Sequence, residues 1–408
     1  MKRRHFLRIA TLAPVAAPVV AATPQQGDQP GPVIGPYLQH PSPGVMTVML
    51  LTKGDGEVAL EVNRGGERTV EGSAIPGCEW TVWKSRIEGL RPGAEVDYRV
   101  RWKQDGAERF ASPVHRFRVP DATAETSRFL VFNDVHDHLE TLAALLEHVD
   151  DGDHDFTCLL GDIWNDPSPR NGAEVVFRTL DALVRGLDAA SKPFFYIRGN
   201  HELRGGFKDR LAWLFDIPAL DPAAKFDEQN WWHSHRIGPL FLIATDTGED
   251  DGFHTPKDSY KRPDFWQGYR KRQVPWLENL VEEKAAGDAP WSVFLGHIPL
   301  YDPASWHSDP SREFWRPVLT RTPIDLMLAG HDHSWKFVPE NKPFELKKKD
   351  AAGNPTVESF TPEWPILIGG GPSIREGTVM KVKADRRELS VDLVHTSGKV
   401  LHEVRMKA

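Results

Sequence analysis

A chain of 408 residues is too long for one small domain and suits two or three. Its 40 % hydrophobic and 26 % charged residues are those of an ordinary globular protein, which excludes a collagenous, disordered or multi-span membrane chain. The net charge is −8; the first 22 residues hold four of the 50 basic side chains and none of the 58 acidic ones, which leaves −12 for the remainder. An acidic body is a poor binder of nucleic acid or anionic lipid. Two Cys exclude a disulfide scaffold.

The N-terminus reads as an address. Lys2-Arg3-Arg4-His5-Phe6-Leu7-Arg8 precedes an uncharged, Ala/Val-rich stretch from Ile9 to Ala22. This is the basic, then apolar, then small layout of an export signal, with cleavage expected near Ala22. The stretch contains Pro14 and Pro18 and is too short to span a bilayer, so no stable membrane anchor is expected. Arg3-Arg4 followed by Phe6-Leu7 resembles a twin-arginine signal, which implies a periplasmic or secreted protein exported in the folded state; a general secretory signal is the alternative.

Residues 23–36 are rich in Gln, Gly and Pro and read as a linker. Short alternating segments follow at Val45–Leu51, Val58–Asn63, Thr81–Glu88, Val96–Trp102 and His115–Val119, with Gly-containing breakers between most of them. This spacing predicts a small β-sandwich over residues 33–120. From residue 127 the pattern changes. Arg128–Asn133, Phe156–Leu160, Phe194–Arg198, Leu240–Thr245, Trp291–Leu295, Ile324–Ala329 and Pro365–Ile368 read as buried strands. Leu139–Val149, Glu174–Ala189, Tyr269–Lys284 and Ser311–Leu319 read as helices. Such alternation predicts an α/β layered domain over residues 127–408.

Five short motifs each follow a predicted strand: Asn133-Asp134-Val135-His136, Gly161-Asp162-Ile163-Trp164-Asn165, Gly199-Asn200-His201-Glu202, Gly296-His297-Ile298-Pro299 and Gly330-His331-Asp332-His333. Any one of them is an ordinary turn. Together they place ligand-type residues at the carboxyl ends of five strands, where open α/β sheets build their sites. Asp134, His136, Asp162, Asn200, His297, His331 and His333 form a mixed imidazole and oxygen set without thiolate, suited to Mn, Fe or Zn rather than Ca. Seven ligands exceed the needs of one ion with open positions. Two divalent or first-row transition metal ions sharing a carboxylate fit better.

The order of these motifs resembles that of the calcineurin-like metallophosphoesterase superfamily over residues 127–408. Gly35-Pro36-Tyr37-Leu38-Gln39 and Gly89-Leu90-Arg91-Pro92-Gly93 are similar to the fibronectin-III-like domain that precedes many purple-acid-phosphatase-type catalytic domains. The resemblance implies an α/β fold: a β-sandwich of two mixed sheets flanked by helices, preceded by the small all-β sandwich as a support or docking module. It implies that Asp134, His136 and His333 bind one metal, that Asn200, His297 and His331 bind the other, and that Asp162 bridges them. His201 then protonates the leaving oxygen while a metal-activated water attacks phosphorus.

Two positions depart from the purple type. The slot three residues after the bridging Asp, a tyrosine ligand in purple acid phosphatases, is Asn165, and His136 occupies a place those enzymes leave without histidine. Asn165 is expected to orient His201 by hydrogen bonding, with Asp166 as the alternative. Asn200, Arg204 and Trp164 are expected to meet substrate, Arg198 to form a structural ion pair, and Trp306, His307 and Trp335 either to line the pocket mouth or to cover the core edge. Asp246–Asp251 is expected to be a loop of solvated charges. The function implied is an exported dinuclear-metal phosphoesterase acting on a phosphorylated small molecule. A phosphodiesterase or nucleotidase on the same metal core, and a non-catalytic envelope binding protein, are the alternatives.

Overall fold

The computed structural model describes residues 32–167, 173–226, 228–250, 263–282, 287–305, 307–349 and 354–408. The expected export signal lies outside them.

The N-terminal region is all-β and antiparallel. One sheet has the order β1 (Val33–Ser42), β2 (Val45–Lys53), β6 (Trp80–Ile87), β5 (Gly72–Ala74). The other runs β4 (Arg68–Val70), β3 (Glu57–Val62), β7 (Glu95–Gln104), β8 (Ala107–Ala111), with β9 (His115–Arg118) also on β7. Alternation explains the pairing of faces. Val96, Tyr98, Val100 and Trp102 of β7 point inward with Val48 and Leu50 of β2, and the residues between them face outward. β1 begins inside the stretch predicted as linker, because Val33 and Ile34 pair with Thr52 and Leu51.

The remainder is built on two mixed six-stranded sheets. The first has the order β12 (Phe194–Ile197), β11 (Phe156–Leu160), β10 (Thr126–Phe132), β21 (Thr378–Asp385), β22 (Glu388–His395), β23 (Val400–Lys407). The second runs β13 (His233–Ile237), β14 (Leu240–Ala244), β15 (Trp291–Leu295), β16 (Leu326–Ala329), β20 (Ile366–Ile368), β17 (Lys336–Val338), and β18 (Phe344–Lys349) and β19 (Pro355–Phe360) form a separate antiparallel pair. The strands β10, β11 and β12 are parallel, and the C-terminal meander adds to β10 antiparallel. Val131, Cys158, Leu242, Val293 and Leu328 meet between the sheets, while Leu130, Phe132 and Leu159 face the opposite way. Both faces of the central strands are therefore covered, so they read as continuous apolar runs rather than alternating ones. Truncating such a side chain to alanine costs about 2–5 kcal/mol.

Helices α1 (Leu139–Leu146) and α2 (Ala173–Gly186) cover the outer face of the first sheet. Helices α4 (Val274–Glu282) and α5 (Asp309–Leu319) cover the second. The single helix predicted over Tyr269–Lys284 is two, α3 (Pro263–Arg272) and α4, divided at Gln273, because Pro275 has no N–H to carry the helical ladder onward; the Gln273 side chain bonds the backbone of Asp246. Both cysteines are free thiols, and Cys158 is a buried strand residue.

The N-terminal sandwich shares the core under α2. Trp80 stacks on Phe177 at 4.5 Å, and Ile34, Tyr37, Met49 and Leu51 join the same cluster. Polar bonds close the seam: the Tyr37 hydroxyl donates to Leu214 O (3.0 Å), the Tyr98 hydroxyl to Ala190 O (2.7 Å), and Thr47 and Lys84 both donate to Asp216 (2.6 and 3.1 Å). Beside it lie His40, His233 and His235, all buried. Burial pushes His233 down to about 4 and His235 well below the ordinary imidazole range. His154, buried and facing Lys192, is also held at about 4.

These histidines fold in neutral, whereas the unfolded chain protonates them near 6.5, so stability must fall as pH drops from about 6.5 towards 4. His154 and His233 each contribute a loss of about 2 kcal/mol by pH 5, and His235 acts in the same direction. Denaturant melts at pH 7.5 and pH 5 check this. His233→Gln, which can still donate to Tyr196 O, is expected to flatten the profile, and equal midpoints at both pH values would refute the assignment.

Candidate metal centre

All seven expected ligands lie on loops at the carboxyl ends of strands. Asp134 and His136 follow β10, Asp162 follows β11, Asn200 follows β12, His297 follows β15, and His331 and His333 follow β16. Five of them, Asp134, His136, Asp162, His331 and His333, have φ between +47° and +78°. Side chains other than glycine are costly there, and such strain concentrates at functional sites. Glycines make the close approaches: a β-carbon on Gly199 would come within 2.2 Å of Asp162 Oδ1, and one on Gly330 within 2.4 Å of Asp134 Oδ2.

The ligand atoms converge. Asp134, His136, Asp162 and His333 each offer an atom within 4.8 Å of the others, and so do Asp162, His297 and His331, with Asp162 common to both groups. Asn200 Oδ1 is 2.9 Å from His331 Nδ1. Each carboxylate is half satisfied. Asp134 Oδ2 accepts from the Asn133 side chain (2.7 Å) and the His331 backbone (2.8 Å), and Asp162 Oδ1 accepts from the His201 backbone (2.9 Å). Their other oxygens, Asp134 Oδ1 and Asp162 Oδ2, are buried with no hydrogen-bond partner, as is His297 Nε2.

The chemistry of this donor set fits cations. His297 Nδ1 lies 3.0 Å from Leu160 O and must donate its proton there, which leaves the lone pair of Nε2 facing Asp162 Oδ2 at 3.1 Å. Lone pair against carboxylate is repulsive without positive charge between them. His333 Nε2 and His136 Nε2 face one another at 2.9 Å. Where no cation supplies that charge a proton does: burial alone would lower His136 and His297, yet the carboxylates of Asp134 and Asp162 push them up to about 10 and about 9. The two acids themselves are held below the usual carboxylate range by these imidazoles, against the effect of burial.

His201 sits beside this set. Its ring is partly exposed, its Nε2 is 4.0 Å from Asp162 Oδ2, and its Nδ1 is 2.8 Å from Asp166 Oδ1, off the line of the ring N–H. Asn165, the residue expected to orient His201, makes no hydrogen bond to it, and Asp166, the alternative, is the acid that lies beside the ring. Asn165 points to solvent, and its backbone N–H donates to Asp137. Trp164 is likewise not at the pocket. It is fully buried, donates to Val176 O and packs edge-on against Tyr196 and Phe215, because the loop after Asp162 turns its apolar side chains inward. Arg204 lies 3.3 Å from His201 Nε2, but its fork is engaged by Glu249 and Asp250. Arg198 forms the expected structural pair, buried at 2.7 Å from Asp246 and bonded to Tyr269. The loop expected to be solvated is therefore a buried anchor: Asp246, Thr247 and Glu249 have no exposed surface.

Trp306 lies outside the described residues. His307 reaches the centre, with Nδ1 2.8 Å from His331 Nε2, and forms a further trio with Asp250 and His331. Trp335 is 37 % exposed, at the rim.

Sequence reasoning passed over Glu202. Its carboxylate, fully buried, accepts from the backbone N–H groups of Asp162 (3.0 Å), Ile163 (2.6 Å), Trp164 (3.0 Å) and Gly199 (2.9 Å). It ties the Asp162 loop to the Asn200 loop. Burial and the neighbouring Asp162 push it up to about 7 against these donors. An acid two residues after the ligand in Gly199-Asn200-His201-Glu202 was the available signal.

Two mixed sheets with an Asp/His/Asn cluster on their carboxyl-end loops define a metallophosphoesterase fold and site. The calcineurin-like phosphoesterase model matches residues 127–335, just over half of the chain, and the chain belongs to that family of metal-dependent hydrolases of phosphoric esters. Purple acid phosphatase 4 of Arabidopsis thaliana is 23 % identical over 267 residues, covering 62 % of this chain and 73 % of its own. The probable purple acid phosphatase 20 of the same plant is 27 % identical over 204 residues, 47 % of this chain and 42 % of its own length. Among solved structures, purple acid phosphatase PPD1 from yellow lupin (Lupinus luteus) seeds superposes with a TM-score of 0.67 at 16 % identity, covering 93 % of this chain and 75 % of that one. PhoD superposes with a TM-score of 0.59 at 14 % identity, covering 94 % and 90 %.

Glu202→Gln exchanges one accepting oxygen for an amide that must face N–H donors. Metal affinity is expected to fall about 10–100-fold, as for other residues that orient ligands. Titration of the chelator-treated protein with Mn²⁺ or Zn²⁺ measures it, and unchanged affinity would show that Glu202 does not hold the loop in place.

Proposed function

We propose that this protein is an exported phosphoesterase that holds two first-row metal ions and hydrolyses phosphate esters of small molecules, with His201 as general acid. The observation that carries this reading is the pair of buried, unpartnered carboxylate oxygens of Asp134 and Asp162, surrounded by the ring nitrogens of His136, His297 and His333. Asp134, His136 and His333 would hold one ion, Asn200, His297 and His331 the other, and Asp162 both. Bound there, the ions supply positive charge to the phosphoryl oxygens and acidify water.

The chain's own groups do the rest. His201 stands close to Asp162 without an atom among the converging ligands, so it can face the oxygen that leaves phosphorus. Its proton passes to that oxygen as the P–O bond breaks, while the oxygen of a water forms the new bond to phosphorus. Asp166 Oδ1, 2.8 Å from Nδ1, is the acid placed to orient the ring. Arg204, paired with Glu249 and Asp250, acts as a spacer beside His201 rather than as a free phosphate fork. Buried Trp231, Trp266 and Tyr269 around Arg198 keep that side of the site rigid.

The family match and the purple acid phosphatase relatives support the phosphoester reading. The purple colour in the relatives' names is not carried over, because Asn165 stands where a tyrosinate ligand is required. We take residues 33–120 as a fibronectin-III-like support module and residues 127–408 as the catalytic domain. Arg3-Arg4-His5-Phe6-Leu7 supports twin-arginine export with cleavage near Ala22. No described helix is long and apolar enough to cross a membrane.

Asp162→Ala is expected to abolish binding of both ions, measured by elemental analysis, because it removes the shared carboxylate. Two retained ions would overturn the bridging role. His201→Ala is expected to keep its metal and lose about 10²–10⁴-fold in kcat on alkyl phosphates, with a much smaller loss on nitrophenyl phosphate, whose leaving group needs little protonation. Equal losses on both substrates, or loss of metal, would remove His201 from the acid role.

A further inference from the structure

A second concavity of about 430 Å³ opens beside the metal centre, lined among others by Ser334, Trp335, Arg375, Glu376, His395 and Lys399. It is continuous with the site along the chain. Ser334 and Trp335 directly follow His333, and the loop carrying Arg375 starts against the same residue, since a β-carbon on Gly371 would lie 2.6 Å from His333 Cβ. The wall is held rather than loose. His395 bonds Arg375 O (3.1 Å) through Nε2 and Ser397 (2.9 Å) through Nδ1, and the Thr396 hydroxyl donates to Ile374 O.

Two features point to a ligand. Among the described residues neither the Arg375 guanidinium nor the Lys399 ammonium has an ion pair or hydrogen bond, while the one carboxylate in the wall, Glu376, accepts from Ser373 (2.8 Å). The cavity is thus left with a net positive charge. Of the five exposed large hydrophobic residues among the described ones, Trp335 lines it, and Ile374 and Val400 are chain neighbours of the lining residues Arg375 and Lys399. Single apolar side chains on a surface are ordinary; a group of them at the rim of a polar cavity marks a binding site. Trp335 stands against His402 (centroids 5.9 Å), which in turn packs on Phe337 (4.6 Å), so its indole is a supported platform.

We propose that this cavity is the leaving-group subsite, and that it selects phosphoesters whose leaving group carries a planar ring and a second phosphate. The ring lies on Trp335 and the second phosphate between Arg375 and Lys399, where charge-assisted bonds form without displacing existing partners. The assignment rests on the phosphoesterase reading above. It adds nucleotide-type bisphosphates to that reading as the favoured substrate class.

The test compares kcat/KM of the metal-loaded enzyme on phenyl phosphate, adenosine 3′-monophosphate and adenosine 3′,5′-bisphosphate. The double variant Arg375→Ala/Lys399→Ala is expected to lower the preference for the bisphosphate over the monophosphate by about tenfold or more, through KM. Trp335→Ala is expected to lower the preference for both adenosine substrates over phenyl phosphate by about tenfold, and Trp335→Phe to recover most of it. Preferences within about twofold of the parent overturn the subsite. If the parent enzyme hydrolyses none of the three, the phosphoesterase reading fails by itself. Calorimetric titration with adenosine 3′,5′-bisphosphate then decides the cavity alone: binding weakened about tenfold in the double variant supports it, and equal binding, or none to the parent, refutes it.

Discussion

Two carboxylates, Asp134 and Asp162, carry negative charge into an interior where neither has appreciable solvent contact. Burying one unpaired charge costs several kcal/mol, and two adjacent ones repel. The surrounding structure is arranged around that cost. Asn133 and backbone N–H groups satisfy one oxygen of each acid, and imidazoles from three loops gather about the other. The strained turns that aim these groups are tolerable because the strands beneath them are buried on both faces and cannot shift to relieve them.

The same constraint explains the outer ring of the site. Glu202 brings a further buried acid close to Asp162, an arrangement that is unfavourable until its oxygens meet four backbone N–H groups. Asp246 and Glu249 repeat the device farther out, with Arg198 and Arg204 as their counter-charges and Arg270 bonded to the backbone carbonyls of Thr247 and Glu249. Charge is thus neutralised in nested layers. A fault in an outer layer is felt as misplacement of the inner ligands rather than as their loss.

Much of this was legible in the sequence, for a local reason. Ligands that follow strands directly carry their own positional label: an apolar run, then Gly or Asn, then Asp or His. The seven residues expected as ligands, and the strands that bear them, could be read as a set that way. What could not be read depends on contacts distant in sequence. Asn165 and Asp166 are adjacent, and only the path of the loop decides which of them meets His201. Trp164 looks like a pocket residue beside Asp162 until the turn sends it to Tyr196 and Phe215. The acidic stretch from Asp246 appears solvated because its arginine partners lie up to about fifty residues away in the chain. The antiparallel meander β21–β23 carries no motif, and β1 begins within Pro- and Gly-rich sequence, so pairing with a neighbour defines both.

The expected ligands are divided between the two sheets: Asp134, His136, Asp162 and Asn200 belong to loops of the first, His297, His331 and His333 to loops of the second. Whatever cation binds all of them ties the sheets together at their carboxyl ends and has little affinity for the unfolded chain, where the residues are scattered. By mass action such a ligand contributes about 4 kcal/mol when its free concentration is a thousand times its dissociation constant. Separation of the sheets, and with it the lifetime of the protein against proteases, then depends on the buffering of metal in its surroundings. The melting temperature of this fold is a property of the solution as much as of the sequence.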